Sequence, residues 1–169
     1  MKKNRFLNNI FIAIKITAAA VIAIILADIL SLQFGVSAGI VAILSVAGTK
    51  KETLKTAGNR FLAFAVALVA AIICYEVIGF RVEAFMVYLL IFITVCQCMG
   101  WNNAMAMDSV LISHFLTLGN MSSESIFNEV MLFIIGVGMG IIVNMHLHKN
   151  TAYIEKMKDE TDEQMKIVL

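Results

Sequence analysis

The stretch IFIAIKITAAAVIAIILADIL, residues 10–30, is long and apolar enough to decide the class of the protein. A helix needs roughly 20 apolar residues to cross the hydrocarbon core of a bilayer. This stretch has that length, with Lys15 and Asp28 near its ends. The chain continues into further apolar runs rather than into a polar domain, so the stretch is not a cleaved signal peptide. It is predicted to be the first span of a membrane protein.

The composition of the whole chain supports this assignment. Of its 169 residues, 60% are hydrophobic and only 15% are charged, none is proline, and the mean hydropathy is +0.89. Soluble domains are nearer half apolar and a quarter charged. The formal net charge is +1, which argues against a nucleic-acid partner because phosphate binding needs a basic surface. The lipid bilayer is therefore the expected partner.

Six segments are predicted to cross the membrane, and the second and fifth are the weakest. They are residues 10–30, 34–47, 61–80, 84–99, 101–118 and 126–146. The predicted fold class is all-α, with six transmembrane helices in residues 1–148 and a C-terminal cytoplasmic helix in residues 149–169. The tail lacks turn breakers but has no obvious cap, which suggests that a longer natural chain continues here.

The link after the second segment has its own local pattern. Gly48 suits a helix C-cap, and Thr49 followed three residues later by Glu52 is typical of a capping box. A short basic helix over residues 50–56 is predicted, with Gly58 loosening the entry into the third span.

Lysine and arginine placement predicts the orientation, because cytoplasmic loops hold the positive excess. The basic residues before span 1, between spans 2 and 3 and after span 6 all fall on one side of a six-span chain. The opposite side holds Arg81, with Glu83, Glu124 and Glu129 beside it. The protein is therefore predicted to be a multi-pass cell-membrane protein with both termini cytoplasmic.

The two weak segments occupy corresponding positions in two halves of opposite orientation, spans 1–3 and spans 4–6. Paired short or interrupted segments of this kind indicate the binding region of a transporter. The alternative is that the two segments are merely tilted or buried against their neighbours.

Charged side chains within spans are costly and usually face a bundle interior or a watery cavity. Asp108 is predicted near the midplane, where a carboxylate is costly to ionise, so it is a candidate for proton coupling. Its alternative role is a structural acid bonded to another helix. His114 lies six residues further along, about 120° around the helix, and is the second proton-coupling candidate. Lys15 either snorkels to the interface or attracts an anion in a cytoplasmic vestibule.

No enzyme, cofactor or metal site is predicted. His146 with His148, and Cys96 with Cys98, are spaced by two residues and so point to nearly opposite sides of a helix. Gly136 with Gly140, and Gly35 with Gly39, have the spacing that allows close helix contact. These pairs serve either the bundle of one chain or a dimer interface.

The segment SAGIVAILSVAGTKKETLKTAGNRFLA, residues 37–63, resembles the most characteristic part of the bacterial aromatic acid exporter family. That family, in the fusaric acid resistance type superfamily, has a small-residue second span ending in Thr-Lys-Lys and an arginine opening the third span. Here these positions are Thr49, Lys50, Lys51 and Arg60. Plant aluminium-activated malate transporters are distantly similar. The resemblance implies movement of small organic anions and a homodimer.

The function predicted from these features is export of organic carboxylates across the plasma membrane, with aromatic carboxylates as the candidate substrates. Lys15, Lys50, Lys51 and Arg60 are the predicted substrate-binding residues, and Asp108 and His114 the predicted proton-coupling residues. One alternative is a passive anion channel, which needs the same basic residues but no titrating group. Another is a non-transporting membrane scaffold for a cytoplasmic domain.

The orientation leads to a labelling prediction. A Ser123→Cys variant should react with membrane-impermeant thiol reagents added to intact cells, whereas Thr53→Cys should react only after the cells are opened. Both are compared with the parent chain, which has three cysteines of its own within apolar runs. Labelling with the opposite sidedness would contradict the orientation.

Overall fold

A computed structural model describes residues 2–46 and 50–167, with side chains described at residue 7 and over residues 9–46 and 56–145. The helices are α1 Lys2–Ile29, α2 Val36–Leu44, α3 Lys50–Ile78, α4 Val82–Met99, α5 Met105–Leu118 and α6 Ser123–Ile167. No strand occurs in the two described stretches. The predicted all-α class is therefore confirmed. The predicted C-cap Gly48 and the first residue of the predicted capping box, Thr49, lie outside the described residues.

Helix length separates four of these helices from the other two. The segments long and apolar enough to cross a membrane are Asn9–Ile29, Thr56–Ile78, Val82–Met99 and Ser123–Met145. Helix α2 has 9 residues and α5 has 14, which makes them about 14 Å and 21 Å long. Both are shorter than the roughly 30 Å hydrocarbon core. Four candidate spans are thus present, and a count of six stays a prediction.

The predicted start of the fifth helix at Trp101 is wrong by four residues. Gly100 adopts the left-handed conformation with φ 71°, and the Trp101 amide donates to the Cys96 carbonyl at 2.8 Å. This is the hydrogen bond that closes a helix at a C-terminal glycine. The chain becomes helical again only at Met105.

The prediction of a separate basic helix over residues 50–56 is also wrong. Helix α3 runs without interruption from Lys50 to Ile78, and Gly58 lies within it. Nothing lies within 4 Å of the position that a Cβ on Gly58 would occupy. The glycine therefore neither breaks the helix nor serves a close contact. The predicted helical extension of the sixth segment is confirmed, since α6 continues to Ile167.

The ends of the helices define two sides of the bundle. We call the side with the loops at residues 30–35, 79–81 and 119–122 the far side, and the side with the start of α1 and the loop at residues 100–104 the terminal side. Helix α2 contacts α1, α5 and α6, whereas α5 contacts α2, α3, α4 and α6. The two short helices therefore touch each other at the centre, and the longer helices pack around them.

The helix contacts also follow the two predicted halves. Contacts of α2 with α1 and α6 have counterparts in contacts of α5 with α4 and α3, and the α1–α6 contact has its counterpart in α3–α4. This is the arrangement expected when α1–α3 and α4–α6 are related by an axis in the membrane plane.

Large apolar side chains cover much of the outer surface. Val77, Leu90 and Ile29 are 79%, 72% and 71% exposed. A monomeric soluble protein rarely presents many such side chains around its perimeter. Hydrocarbon chains of a bilayer are the surroundings that accommodate them.

The predicted glycine pairs pack within the chain. A Cβ on Gly136 would lie 2.4 Å from Val41 Cγ1, and one on Gly140 would lie 2.3 Å from Ser45 Cβ. Both glycines thus allow α6 to approach α2. Gly39 similarly brings α2 against α1, because a Cβ there would lie 3.0 Å from the Ala20 carbonyl oxygen. Of the two alternatives given above, these contacts support packing in the bundle of one chain.

This packing predicts opposite effects for two neighbouring glycines. Gly136→Ala should destabilise the protein by about 1–3 kcal/mol, because the new methyl group overpacks the contact with Val41. Gly138 faces open space on the same helix. Gly138→Ala should be neutral or stabilising by up to about 1 kcal/mol, since alanine favours a helix more than glycine does. Thermal unfolding in one detergent measures both, and equal shifts in the melting temperature would contradict the α2–α6 contact.

Candidate functional site

Two buried polar clusters flank α5. Asp108 is 0% exposed and His114 is 7% exposed, and the two lie six residues apart. The face of α5 that carries Met107 and His114 packs on α2, since Met107 Sδ accepts a 3.8 Å hydrogen bond from Ser45 and His114 bonds Ser37. Asp108 lies on a different face of the helix, as the predicted angle of about 120° from His114 requires. The central position of α5 therefore buries both faces.

The first cluster contains Asp108 and Arg60. Asp108 lies in the first turn of α5, three residues after Met105 and ten residues before Leu118. Neither carboxylate oxygen has a hydrogen-bond partner among the described residues. Arg60 on α3 attracts this carboxylate electrostatically, but the pair is not in salt-bridge contact in the described part of the chain. Asp108 therefore keeps its hydrogen-bonding capacity.

Arg60 is held by the end of a helix rather than by an acid. Its guanidinium is buried, and Nη2 donates to the Leu44 carbonyl oxygen at 2.7 Å. That carbonyl belongs to the last residue of α2, where helix geometry leaves acceptors unsatisfied. The Nε–H of Arg60 has no acceptor among the described residues. One edge of the guanidinium is therefore committed to the fold and another is unused.

A polar cavity adjoins Arg60 on the terminal side. It has a volume of about 70 Å³ and is lined by Thr56, Asn59, Arg60, Gly100, Trp101, Asn103 and Ala104. This is room for a few water molecules, since one needs about 10–15 Å³ by this measure. The buried Arg60 guanidinium thus borders a polar cavity and also attracts the buried carboxylate of Asp108.

The second cluster is centred on His114. Its Nδ1 lies 2.8 Å from Glu129 Oε2, and its Nε2 lies 3.0 Å from Ser37 Oγ. Glu129 is 0% exposed, and its Oε1 accepts a 3.1 Å hydrogen bond from Asn128 Nδ2. Phe34 stacks on the imidazole with ring centroids 4.1 Å apart and planes 9° from parallel. This cluster joins α2, α5 and α6.

Asn128 connects the second cluster to the far side. Its amide pairs with the backbone of Gln33, accepting from the Gln33 N–H at 2.7 Å and donating to the Gln33 carbonyl at 3.1 Å. Gln33 and Asn128 both line a cavity of about 360 Å³, whose polar members include Ser31, Asn120, Ser122, Glu124 and Ser125. Glu129 is therefore one hydrogen bond away from a polar cavity.

The predicted substrate-binding residues are not gathered at one place. Lys15 lines a groove of about 490 Å³ between α1 and α6, where the other lining residues are apolar, and its ammonium lies 5.1 Å from the centre of the Phe11 ring. Arg60 instead faces α2 from α3. The side chains of Lys50 and Lys51 lie outside the described ones. Arg60 is thus the predicted anion-binding residue that the structure places beside a proton-coupling candidate.

Sequence analysis missed Glu129, which it grouped with the charges outside the membrane. A signal was present in the spacing: Leu132, Phe133 and Gly136 follow at intervals of three, four and seven residues and are all buried. Residues at those intervals share one face of a helix. Counting Glu129 with this apolar face, rather than with the loop before it, predicts a buried acid.

No group of three or more metal-ligating side chains is found where the structure describes them. His114 and Glu129 are hydrogen-bonded to each other, and the other imidazole nitrogen is hydrogen-bonded to the Ser37 hydroxyl. The described contacts of this cluster are hydrogen bonds and one aromatic stacking contact.

Comparison with known proteins agrees with this membrane architecture. The family model for aromatic acid exporter family member 1 matches residues 10–147. Over 150 residues the chain is 31% identical to the uncharacterized protein YqjA of Bacillus subtilis (strain 168), a match that covers 86% of this chain and 47% of that relative. The chain thus spans about half the length of this curated relative. No solved structure matches. The chain belongs to the aromatic acid exporter family.

Proposed function

We propose that this chain forms the membrane part of a proton-coupled exporter of organic carboxylates, with aromatic carboxylates as the leading candidates. The observation that carries this proposal is the buried Arg60, whose Nε–H is unused and which borders a polar cavity while attracting Asp108. A guanidinium is the side chain best suited to bind a planar carboxylate through two parallel hydrogen bonds. The family assignment supports export as the direction.

Competition for Arg60 supplies the coupling. With no substrate bound, the charge of Asp108 compensates that of the guanidinium. When a substrate carboxylate binds Arg60, two buried negative charges compete for one positive charge, so Asp108 takes up a proton more readily. When Asp108 loses its proton, the substrate anion is displaced. Anion binding and protonation of Asp108 therefore favour each other, which couples the two thermodynamically.

The basic residues near the terminal side would collect the substrate. Lys15, Lys50 and Lys51 would raise the local concentration of anions before they reach Arg60. The terminal side would face the cytoplasm of the cell, as the distribution of lysine and arginine predicts. Helices α2 and α5 would complete six membrane passages, with the tail of α6 in the cytoplasm. Two copies would form a homodimer, an assembly that rests on the family resemblance because the glycine pairs are used within one chain.

The coupling is tested with purified protein in liposomes, with labelled benzoate as the probe and the flux of protein-free liposomes subtracted. Asp108→Asn should abolish the acceleration of benzoate flux by an imposed proton gradient while leaving gradient-independent exchange. Glu76→Gln is the matched control, since Glu76 is an exposed acid on α3. Gradient-driven flux that is unchanged in Asp108→Asn would contradict the coupling role. Flux that ignores the gradient in the parent protein would favour the passive channel.

The anion site is tested by changing Arg60. Arg60→Gln removes a charge-assisted contact worth about 1.5–3 kcal/mol, so the benzoate concentration for half-maximal exchange should rise roughly ten- to a hundredfold. Because the same change also removes the bond to Leu44, the melting temperature is measured alongside. Arg60→Lys keeps the charge but lacks the planar guanidinium, so its half-maximal benzoate concentration should lie between those of the parent and Arg60→Gln. Exchange with the parent affinity in folded Arg60→Gln would rule out this site.

The role of Lys15 is tested in the same assay. Lys15→Gln should weaken benzoate binding at every pH, because the lysine charge persists over the whole working range. The effect should be smaller than that of Arg60→Gln, since a half-exposed lysine acts through partly screened attraction. An effect that persists undiminished at high salt would contradict this role.

A further inference from the structure

We infer that His114 and Glu129 form a second proton-binding site, reached from the far-side cavity and separate from Asp108. The inference deepens the proposed export function, because this site would take up the proton that drives export. Proton binding to the His114 cluster can be measured without any transport assay, so its failure is distinguishable from failure of the export function.

The hydrogen bonds define the unloaded form of the site. Glu129 as a carboxylate accepts from His114 Nδ1–H at Oε2 and from Asn128 at Oε1. The other imidazole nitrogen, Nε2, then accepts from the Ser37 hydroxyl. In this form the pair carries a net charge of −1 in a buried position, and His114 is the only basic side chain that contacts Glu129 among the described residues. An isolated buried charge of this kind is unfavourable.

Uptake of one proton removes that net charge. The proton comes from water and binds His114 Nε2, which gives an imidazolium beside a carboxylate. Nε2–H then donates to Ser37 Oγ, and the Ser37 hydroxyl hydrogen rotates away from the imidazole. No other bond forms or breaks. Releasing the proton to water restores the first arrangement.

The Phe34 ring stacks on the imidazole that would carry the proton. The face of the Phe34 ring lies 4.1 Å from the imidazole, and an aromatic face attracts a cation at this distance. Phe34 holds this position with φ 58°, a strained conformation that a bulky side chain rarely adopts. Backbone strain at the residue that stacks on His114 indicates that this contact serves a function.

Other charged groups lie on the elements packed around the pair, but none of the described ones bonds either member. They are Lys15 and Asp28 on α1, Arg60 and Glu76 on α3, Glu83 on α4, Asp108 on α5 and Glu124 on α6. Helix α2, which supplies Ser37, has no charged residue. Glu129 is therefore the charged group in contact with His114 among the described side chains.

The far-side cavity reaches to within one hydrogen bond of Glu129, although neither His114 nor Glu129 lines it. Asn128 both lines the cavity and bonds Glu129, and Gln33, which pairs with Asn128, lines the same cavity. Asp108 instead lies towards Arg60, which borders the cavity on the terminal side. The two acids are thus associated with cavities on opposite sides, which is the arrangement that a proton pathway across the bundle needs.

The test is a nitrogen-15 histidine NMR titration of the purified full chain in detergent. His146→Gln and His148→Gln together leave His114 as the only imidazole. In this background His114 should change between neutral and charged forms once within about pH 5 to about pH 9. Glu129→Gln should weaken proton binding to His114 by roughly ten- to a hundredfold, since a carboxylate in contact favours the charged form. Glu124→Gln, an exposed acid of the same helix, is the matched control and should change it by less than about twofold.

Two results would overturn the site. His114 that stays neutral, or stays charged, throughout the titration excludes it without any variant at Glu129. Equal proton binding in the parent background and in folded Glu129→Gln shows that the pair does not act together. If Glu129→Gln does not fold, Phe34→Leu provides the second comparison, and it should weaken proton binding by roughly two- to fivefold through loss of the aromatic face.

Coupling to export is measured separately, in right-side-out membrane vesicles loaded with labelled benzoate at fixed inner pH. Lowering the outer pH from about 8 to about 6 should accelerate efflux in the parent, and Glu129→Gln should lose most of that response, measured as the ratio of its own efflux rates at the two pH values. An equal response in both proteins contradicts the coupling role of the site. Titration of His114 without benzoate efflux in the parent supports the proton site and contradicts the proposed export function.

Discussion

The hydrogen bond from Arg60 to the Leu44 carbonyl satisfies a constraint on which the rest of this bundle depends. Helix α2 ends after 9 residues, about 14 Å from its start, and its last carbonyl groups have no partner within the helix. Lipid cannot bond the carbonyl groups left open there, so protein has to do so. A guanidinium from α3 supplies a donor at 2.7 Å. The same requirement that completes a short helix thus brings a permanent positive charge into the core.

That charge in turn explains why an acid is tolerated on α5. Asp108 has no hydrogen-bond partner in the described part of the chain, and an unpaired buried carboxylate is strongly unfavourable. Attraction by Arg60 lowers this cost without consuming either side chain in a close ion pair. A tight salt bridge would be more stable but inert. The separated pair keeps both groups able to exchange partners, which is the property that binding an anion and a proton demands.

Sequence reasoning identified the fold class because hydropathy acts on whole segments. It also found Asp108 and His114, since polar residues within an apolar helix are conspicuous, and their opposite directions follow from helical geometry alone. It misjudged the start of α5 because the left-handed turn at Gly100 depends on local bonds. It missed the pairing of Glu129 with His114 because contacts between helices depend on tertiary packing. Arg60 was predicted as an anion ligand, whereas its bond to Leu44 requires the fold.

The two short helices link the polar clusters mechanically. Helices α2 and α5 are bonded near the far side through Ser37 and His114 and near the terminal side through Ser45 and Met107. Ser37 and Ser45 are eight residues apart, about 12 Å along α2. A proton on His114 reverses the direction of the Ser37 hydrogen bond, so it acts on the first turn of the helix whose last carbonyl is held by Arg60. Helix α2 therefore contacts both clusters, through Ser37 at His114 and through the Leu44 carbonyl at Arg60.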